Sequence, residues 1–303
     1  MTGYSRATRD DLAAVVEFIS PLNVKDDHRI GYLGDSPEEI RQELLEFGAI
    51  DYAFLAREKG DLVGFMAMDV DEELERSYLF GPFVDLESWH GIANRLVAEC
   101  LAVVPDKATA QLEMFFDRFN ENASRLGHSL GFETYKDVRT LRFDRSDLGG
   151  NQSGSAIPVE ARHHAGLVEL HDRVFPNTHL PGARMLEGLS DTKACFVRAD
   201  SNNEVVGYAY AEVDDATGSA TLEFVGTAEH ARGRGIGADL VQTGLSWMFG
   251  FESVSETWLV VDEDNLGAQK LYERMGWTEV HRLTSMRRSG RPDTPVRRNG
   301  RAR

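Results

Sequence analysis

The run Arg232-Gly233-Arg234-Gly235-Ile236-Gly237-Ala238 carries the plainest chemistry in this chain. It follows an apolar, strand-like stretch, Thr221 to Val225, and opens a segment with the apolar period of a helix. Glycines at a strand-to-helix turn let the main chain come close to a ligand. The free N–H groups of the first helical turn, with the positive end of the helix dipole, then favour a phosphate or pyrophosphate. Arg232 and Arg234 add cations beside that turn. A dinucleotide fingerprint is excluded, because G-x-G-x-x-G would need glycine or alanine at position 240 and Leu240 stands there. A P-loop is excluded too, since no Gly-Lys-Ser/Thr follows. What remains is R-x-x-G-x-G, carried by Arg232, Gly235 and Gly237.

About thirty residues later comes Asn265-Leu266-Gly267-Ala268-Gln269-Lys270-Leu271-Tyr272-Glu273-Arg274-Met275-Gly276-Trp277. The two segments together resemble the GNAT superfamily of N-acetyltransferases. The first is similar to that family's pyrophosphate loop and the second to its N-x-x-A-x-x-L-Y-x-x-x-G-[FW] segment. The resemblance implies acetyl-CoA as co-substrate and transfer of its acetyl group to an amine. It implies cofactor contacts from Arg232, Gly233, Arg234, Gly235, Ile236, Gly237 and Ala238. It also implies main-chain contacts to the pantetheine arm from Val225 and Thr227, on the strand before the loop. Tyr272 falls where the family places the general acid for the coenzyme A thiolate; a phenol with a pKa of about 10 is protonated at neutral pH and can donate. The resemblance implies a cofactor contact from Asn265, which also stands where a helix N-cap would, and both can hold together.

Glu223 is the candidate general base, acting directly or through a water. It is the sole ionisable side chain in Ala220–Val225, the strand that ends at the loop. An acid on a half-buried strand is costly without a use or a partner, so structural pairing is the competing explanation. Asp262 and Glu263 are lesser stand-ins. His163, His164, His171 and His179 suggest a metal, but none stand four residues apart and no Cys or carboxylate joins them at ligand spacing, so no metal is expected. His179-Leu180-Pro181-Gly182 lies in the irregular stretch where the resemblance puts an acceptor wall.

The elements that must position these residues occur twice. Leu62–Val70 matches Val205–Val213, Gly91–Val97 matches Gly235–Val241, and Asn120–Leu126 matches Asn265–Leu271, in the same order and at nearly constant offset. Each half reads as a short strand, two helical regions, antiparallel strands, a glycine-started helix, a strand, a helix and closing strands. The expectation is an α/β (α+β) chain of two tandem GNAT-like domains, each a mixed, mostly antiparallel sheet flanked by helices. Its divisions are 1–145, a degenerate domain; 146–155, a polar Gly/Ser linker; 156–287, the catalytic domain; and 288–303, an Arg-rich tail read as disordered. The first copy looks worn: Ser88, Trp89 and Gly127 stand where the second has Arg232, Gly233 and Tyr272.

Composition narrows the class. The 303 residues carry a formal charge of −17 and 42% hydrophobic residues, enough material for two cores. Most of the acidity lies outside the tail, because residues 287–303 hold seven Arg and one Asp. An acidic body disfavours nucleic acid and favours cationic ligands. No apolar run is long enough for a membrane span, the N-terminus lacks a signal-peptide core, and Cys100 and Cys195 lie in apolar stretches. A cytoplasmic monomer or homodimer is expected. The reading is an acetyl-CoA-dependent N-acetyltransferase, forming a ternary complex with a primary amine. Small metabolite or antibiotic amines lead as acceptors, ahead of polyamines or amino acids and then protein N-termini or lysines. A non-catalytic acyl-CoA sensor or scaffold is the alternative.

Overall fold

The computed structural model describes residues 2–149 and 154–289. Residues 150–153 of the expected linker and 290–303 of the Arg-rich tail lie outside the described residues. The chain divides into two compact units, Met1–Val138 with Arg282–Arg303, and Arg139–His281.

The first copy runs β1 (Gly3–Arg6), α1 (Leu12–Asn23), α2 (Pro37–Glu46), β2 (Phe54–Glu58), β3 (Asp61–Asp71), β4 (Arg76–Val84), α3 (Trp89–Val103), β5 (Gln111–Asp117), α4 (Glu121–Ser129) and β6 (Glu133–Asp144). The second repeats that order: β7 (Ile157–Pro158), α5 (His164–Val174), α6 (Gly182–Glu187), β8 (Lys193–Ala199), β9 (Val205–Asp214), β10 (Ser219–Thr227), α7 (Ile236–Met248), β11 (Glu256–Asp262), α8 (Leu266–Arg274) and β12 (Thr278–Ser289). The repeated succession of strands and helices is the tandem mixed α/β architecture expected from the sequence.

Local rules account for most elements. In α1, Leu12, Val15, Val16, Ile19 and Leu22 recur on one face and are buried. α2 begins with a capping box: the Glu39 N–H donates to Ser36 Oγ, the Ser36 N–H donates back to the Glu39 carboxylate, and Pro37 takes the first turn. On β10, Ala220, Leu222, Phe224 and Gly226 are buried and alternate with half-exposed neighbours. Antiparallel ladders join β1–β2–β3–β4 in the first unit and β7–β8–β9–β10 in the second. Parallel pairings then join β4 to β5 and β10 to β11.

The closing strands depart from the expected division. β12 runs antiparallel beside β5, with Leu283 to Ser289 opposite Asp117 to Gln111, and so completes the first unit. β6 crosses from the first unit into the second at Arg139 and lies next to β11. Leu141 and Phe143 of β6 are buried in the second core, where Phe143 packs on Phe249 and Trp277. Met286 of β12 is buried in the first core. The unit boundary therefore falls inside β6 and not in the polar 146–155 segment, and the second unit does not extend to 287. Cys100 and Cys195 are free and buried, and burial pushes both thiols up.

Candidate active site

Around the glycine run the strands part. β9 and β10 are paired from Asp214–Ser219 through to Gly207–Thr227, whereas β10 and β11 share a single ladder position, Thr221 with Trp258. The corresponding β4–β5 pair of the first copy holds four positions. Val225 and Thr227 thus keep β9 partners, Ala209 and Gly207, while the β11 side of the strand is open for an extended amide-bearing ligand.

The loop after β10 turns through two left-handed glycines, Gly233 at φ 75° and Gly235 at φ 79°, the latter capping α7. Nothing lies within 4 Å of where a Cβ on either would stand, so the conformation and not crowding demands glycine there. Among the described residues the N–H groups of Ile236, Gly237 and Ala238 have no acceptor, and no side chain caps the helix. Arg232 Nε donates to the Thr227 carbonyl at 3.4 Å and ties the loop to the strand end. Arg232 and Arg234 are exposed beside those amides. Gly207 lets the helix approach the sheet: a Cβ there would meet Ile236 Cγ2 at 2.9 Å and Leu240 Cδ1 at 3.0 Å. This cradle of open amides and cations fits a diphosphate.

Tyr272 lies on α8 in the second core, edge-on to Trp277 with ring centroids 5.9 Å apart. Burial pushes its hydroxyl up to about 12, so it remains a proton donor at neutral pH. Its hydroxyl has no hydrogen-bond partner among the described residues. Leu271, its neighbour, stands 3.3 Å from the Cβ position of Gly237, which brings α8 against the loop. Asn265 is an N-cap: its Oδ1 accepts from the Ala268 N–H at 3.2 Å.

Glu223 occupies a β-bulge, the extra residue between the Leu222–Ala211 and Phe224–Tyr210 pairs. Its carboxylate meets His179 Nε2 at 3.2 Å, and the His179 ring stacks on Phe224 at 5.7 Å and 28°. The sequence placed His179 in an acceptor wall but gave no partner for it. Nearby, the Tyr210 hydroxyl donates to Glu212 at 2.6 Å, and Lys193 lies 3.0 Å from the same carboxylate. Burial, the Glu212 hydrogen bond and the Glu223 charge all raise the Tyr210 hydroxyl. Reasoning from sequence missed Tyr210 and Glu212; their two-residue spacing on one face of β9 was the available signal.

Of the other histidines, His171 is fully buried and commits both ring nitrogens. Nε2 donates to the Leu180 carbonyl at 2.9 Å, and Nδ1 accepts from the Tyr208 hydroxyl at 2.6 Å. His163 Nδ1 accepts from the Glu160 N–H at 3.1 Å as part of a cap. Both therefore serve local structure.

The same places in the first copy are closed. The residues aligned with Gly233, Arg234 and Gly235 are Trp89, His90 and Gly91, and all three are already helical in α3. Trp89 is buried in the core. Phe80, which pairs with Ala67 as Phe224 pairs with Tyr210, is buried and stacks on Tyr32 at 5.2 Å. At Gly127, aligned with Tyr272, an added Cβ would meet Met286 Sδ at 2.9 Å and Met114 Sδ at 3.3 Å.

Comparison with known proteins places these features in context. Residues 165–277 match the acetyltransferase (GNAT) family. The mycothiol acetyltransferase of Streptomyces griseus is 26% identical over 256 residues, covering 78% of this chain and 79% of its own length. That of Streptomyces scabiei is 23% identical, covering 89% and 88%. Among solved structures, a GCN5-related N-acetyltransferase from Sphaerobacter thermophilus superposes with a TM-score of 0.69 at 19% identity, covering 96% of each chain. A tandem GNAT protein from the clavulanic acid biosynthesis pathway does so at 0.65 and 11% identity, over 97% of this chain and 100% of that one.

Proposed function

We propose that the second copy, whose residues 165–277 match the acetyltransferase (GNAT) family, uses acetyl-CoA to acetylate the primary amine of a small molecule by direct transfer in a ternary complex. The observation that carries this reading is the opening of β10 from β11 at the foot of the left-handed glycine turn, with a protonated Tyr272 on the next helix. The diphosphate is held by the Ile236, Gly237 and Ala238 amides with Arg232 and Arg234, and the pantetheine arm lies along Val225 and Thr227. Glu223 takes a proton from the arriving ammonium, directly or through water. The amine lone pair attacks the acetyl carbonyl, the C–S bond breaks, Tyr272 protonates the leaving thiolate, and the second proton shed by the nitrogen as it becomes an amide replaces the one Tyr272 gave. The balance is amide, free thiol and one proton released to solvent.

Acceptor size rests on the neighbours named mycothiol acetyltransferase and on the acidic, half-exposed Glu223, which suits a compact cation. The first copy is a structural partner in this reading, since its loop is helical and its acid position is filled. The test is titration calorimetry with acetyl-CoA, followed by thiol release over a panel of primary amines that includes mycothiol-type amines. One site per chain and turnover on a small amine is the expected result. Binding without turnover on any amine would make the protein an acyl-CoA sensor, and turnover confined to peptides would move the acceptor to protein amines.

A further inference from the structure

We propose that His179 is a positioning residue that holds the Glu223 carboxylate for the acceptor amine, an inference that rests on the transferase reading above. Three observations converge on it. Glu223 is the extra residue of a bulge, with no residue directly opposite it on β9 to pack beside its side chain, although the in–out alternation of β10 continues through it. His179 Nε2 lies 3.2 Å from its Oε1. His179 is itself placed by stacking on Phe224, the residue next to Glu223.

The segment between α5 and α6 is anchored underneath by the buried part of the same unit. His171 donates to the carbonyl of Leu180, one residue after His179, and accepts from Tyr208 on β9. Phe224 is packed edge-on by His171 at 4.9 Å and by Phe175 at 5.0 Å. Asp172 Oδ1 accepts from the Gly182 N–H at 3.0 Å and closes the far end of the segment. The imidazole at 179 is therefore fixed from two sides, while its side chain is 52% exposed and Glu223 is 28% exposed. Such a pair is rigid where it meets the sheet and open where an acceptor arrives. The His179 contact restrains the direction of the carboxylate, and displacement of about 1 Å costs on the order of 10²-fold in rate.

The experiment is a double-substitution cycle on the full chain, with thiol release from acetyl-CoA measured over the amine panel. His179→Ala should lower kcat for the amine by about 10²-fold while leaving acetyl-CoA affinity by calorimetry unchanged. His179→Gln, which keeps an N–H donor near the same place, should recover most of that loss. In a Glu223→Gln background, His179→Ala should cost less than about twofold more, because the two act as one unit. Thermal unfolding confirms that each variant folds, as an exposed ring permits. Wild-type rates in His179→Ala, failure of Gln to rescue, or equal losses in both backgrounds would overturn the proposal while the transferase reading stands. No turnover by the wild type on any amine would overturn both.

Discussion

His171 and Leu180 are joined by a 2.9 Å hydrogen bond from an imidazole Nε2 to a main-chain carbonyl, and this bond holds the segment that faces the bulge on β10. Burial lowers the His171 pKa from its usual 6.5, with the Leu180 hydrogen bond opposing. The folded state therefore binds this proton less readily than the unfolded chain. The stability it contributes is complete above about pH 6.5 and declines as pH falls below that value toward the folded pKa. His171→Gln should flatten the fall of Tm between neutral pH and about pH 5.5 relative to wild type. It should also cost roughly 1–3 kcal/mol at neutral pH through the buried groups it leaves unpaired. An unchanged slope would show that His171 does not carry that linkage.

Gly235→Ala tests the loop by conformation alone. Its φ of 79° is disfavoured for any side chain, yet the space before it is open. A stability loss of about 1–2 kcal/mol is expected, together with weaker acetyl-CoA binding by calorimetry as the cradle relaxes. Full affinity in this variant would place the diphosphate elsewhere.

Tyr272→Phe removes a hydroxyl that donates to no described residue, in a site where burial keeps it protonated to about pH 12. Tm and acetyl-CoA affinity should hardly change, while kcat should fall by about 10²–10⁴-fold if this group protonates the thiolate. Undiminished turnover would assign that proton to water.

Glu223→Gln keeps the shape of the side chain and its place on the bulge but removes the proton acceptor. A drop in kcat/KM for the amine of about 10²–10⁴-fold is expected at neutral pH, recovering as pH rises and more acceptor arrives as free amine. A loss that stays constant across that range would argue against proton abstraction.

Gly127→Tyr probes the first copy. Met286 and Met114 fill the space in which the aligned tyrosine of the second copy stands. Overpacking should cost about 1–3 kcal/mol in unfolding experiments, and the acetyl-CoA stoichiometry should remain one per chain. A second site appearing in this variant would show that the first copy is only lightly closed.

The chemistry-bearing pieces were legible because each is a contiguous stretch obeying local rules. Left-handed turns favour glycine, as at Gly233 and Gly235, and Asn265 caps its helix within three residues. The duplication was legible for the same reason, since like segments recur in like order. The tertiary structure decided three other things. It gave β12 to the first unit and β6, from Arg139 on, to the second, because two closing strands of similar apolar pattern can pair with either partner. It set Glu223 on a bulge and brought His179 to it from 44 positions earlier in the chain. It also ran α3 through the residues aligned with the glycine turn, burying Trp89 in the core. Strand partners, bulges and helix starts of this kind depend on long-range burial, which no local pattern encodes.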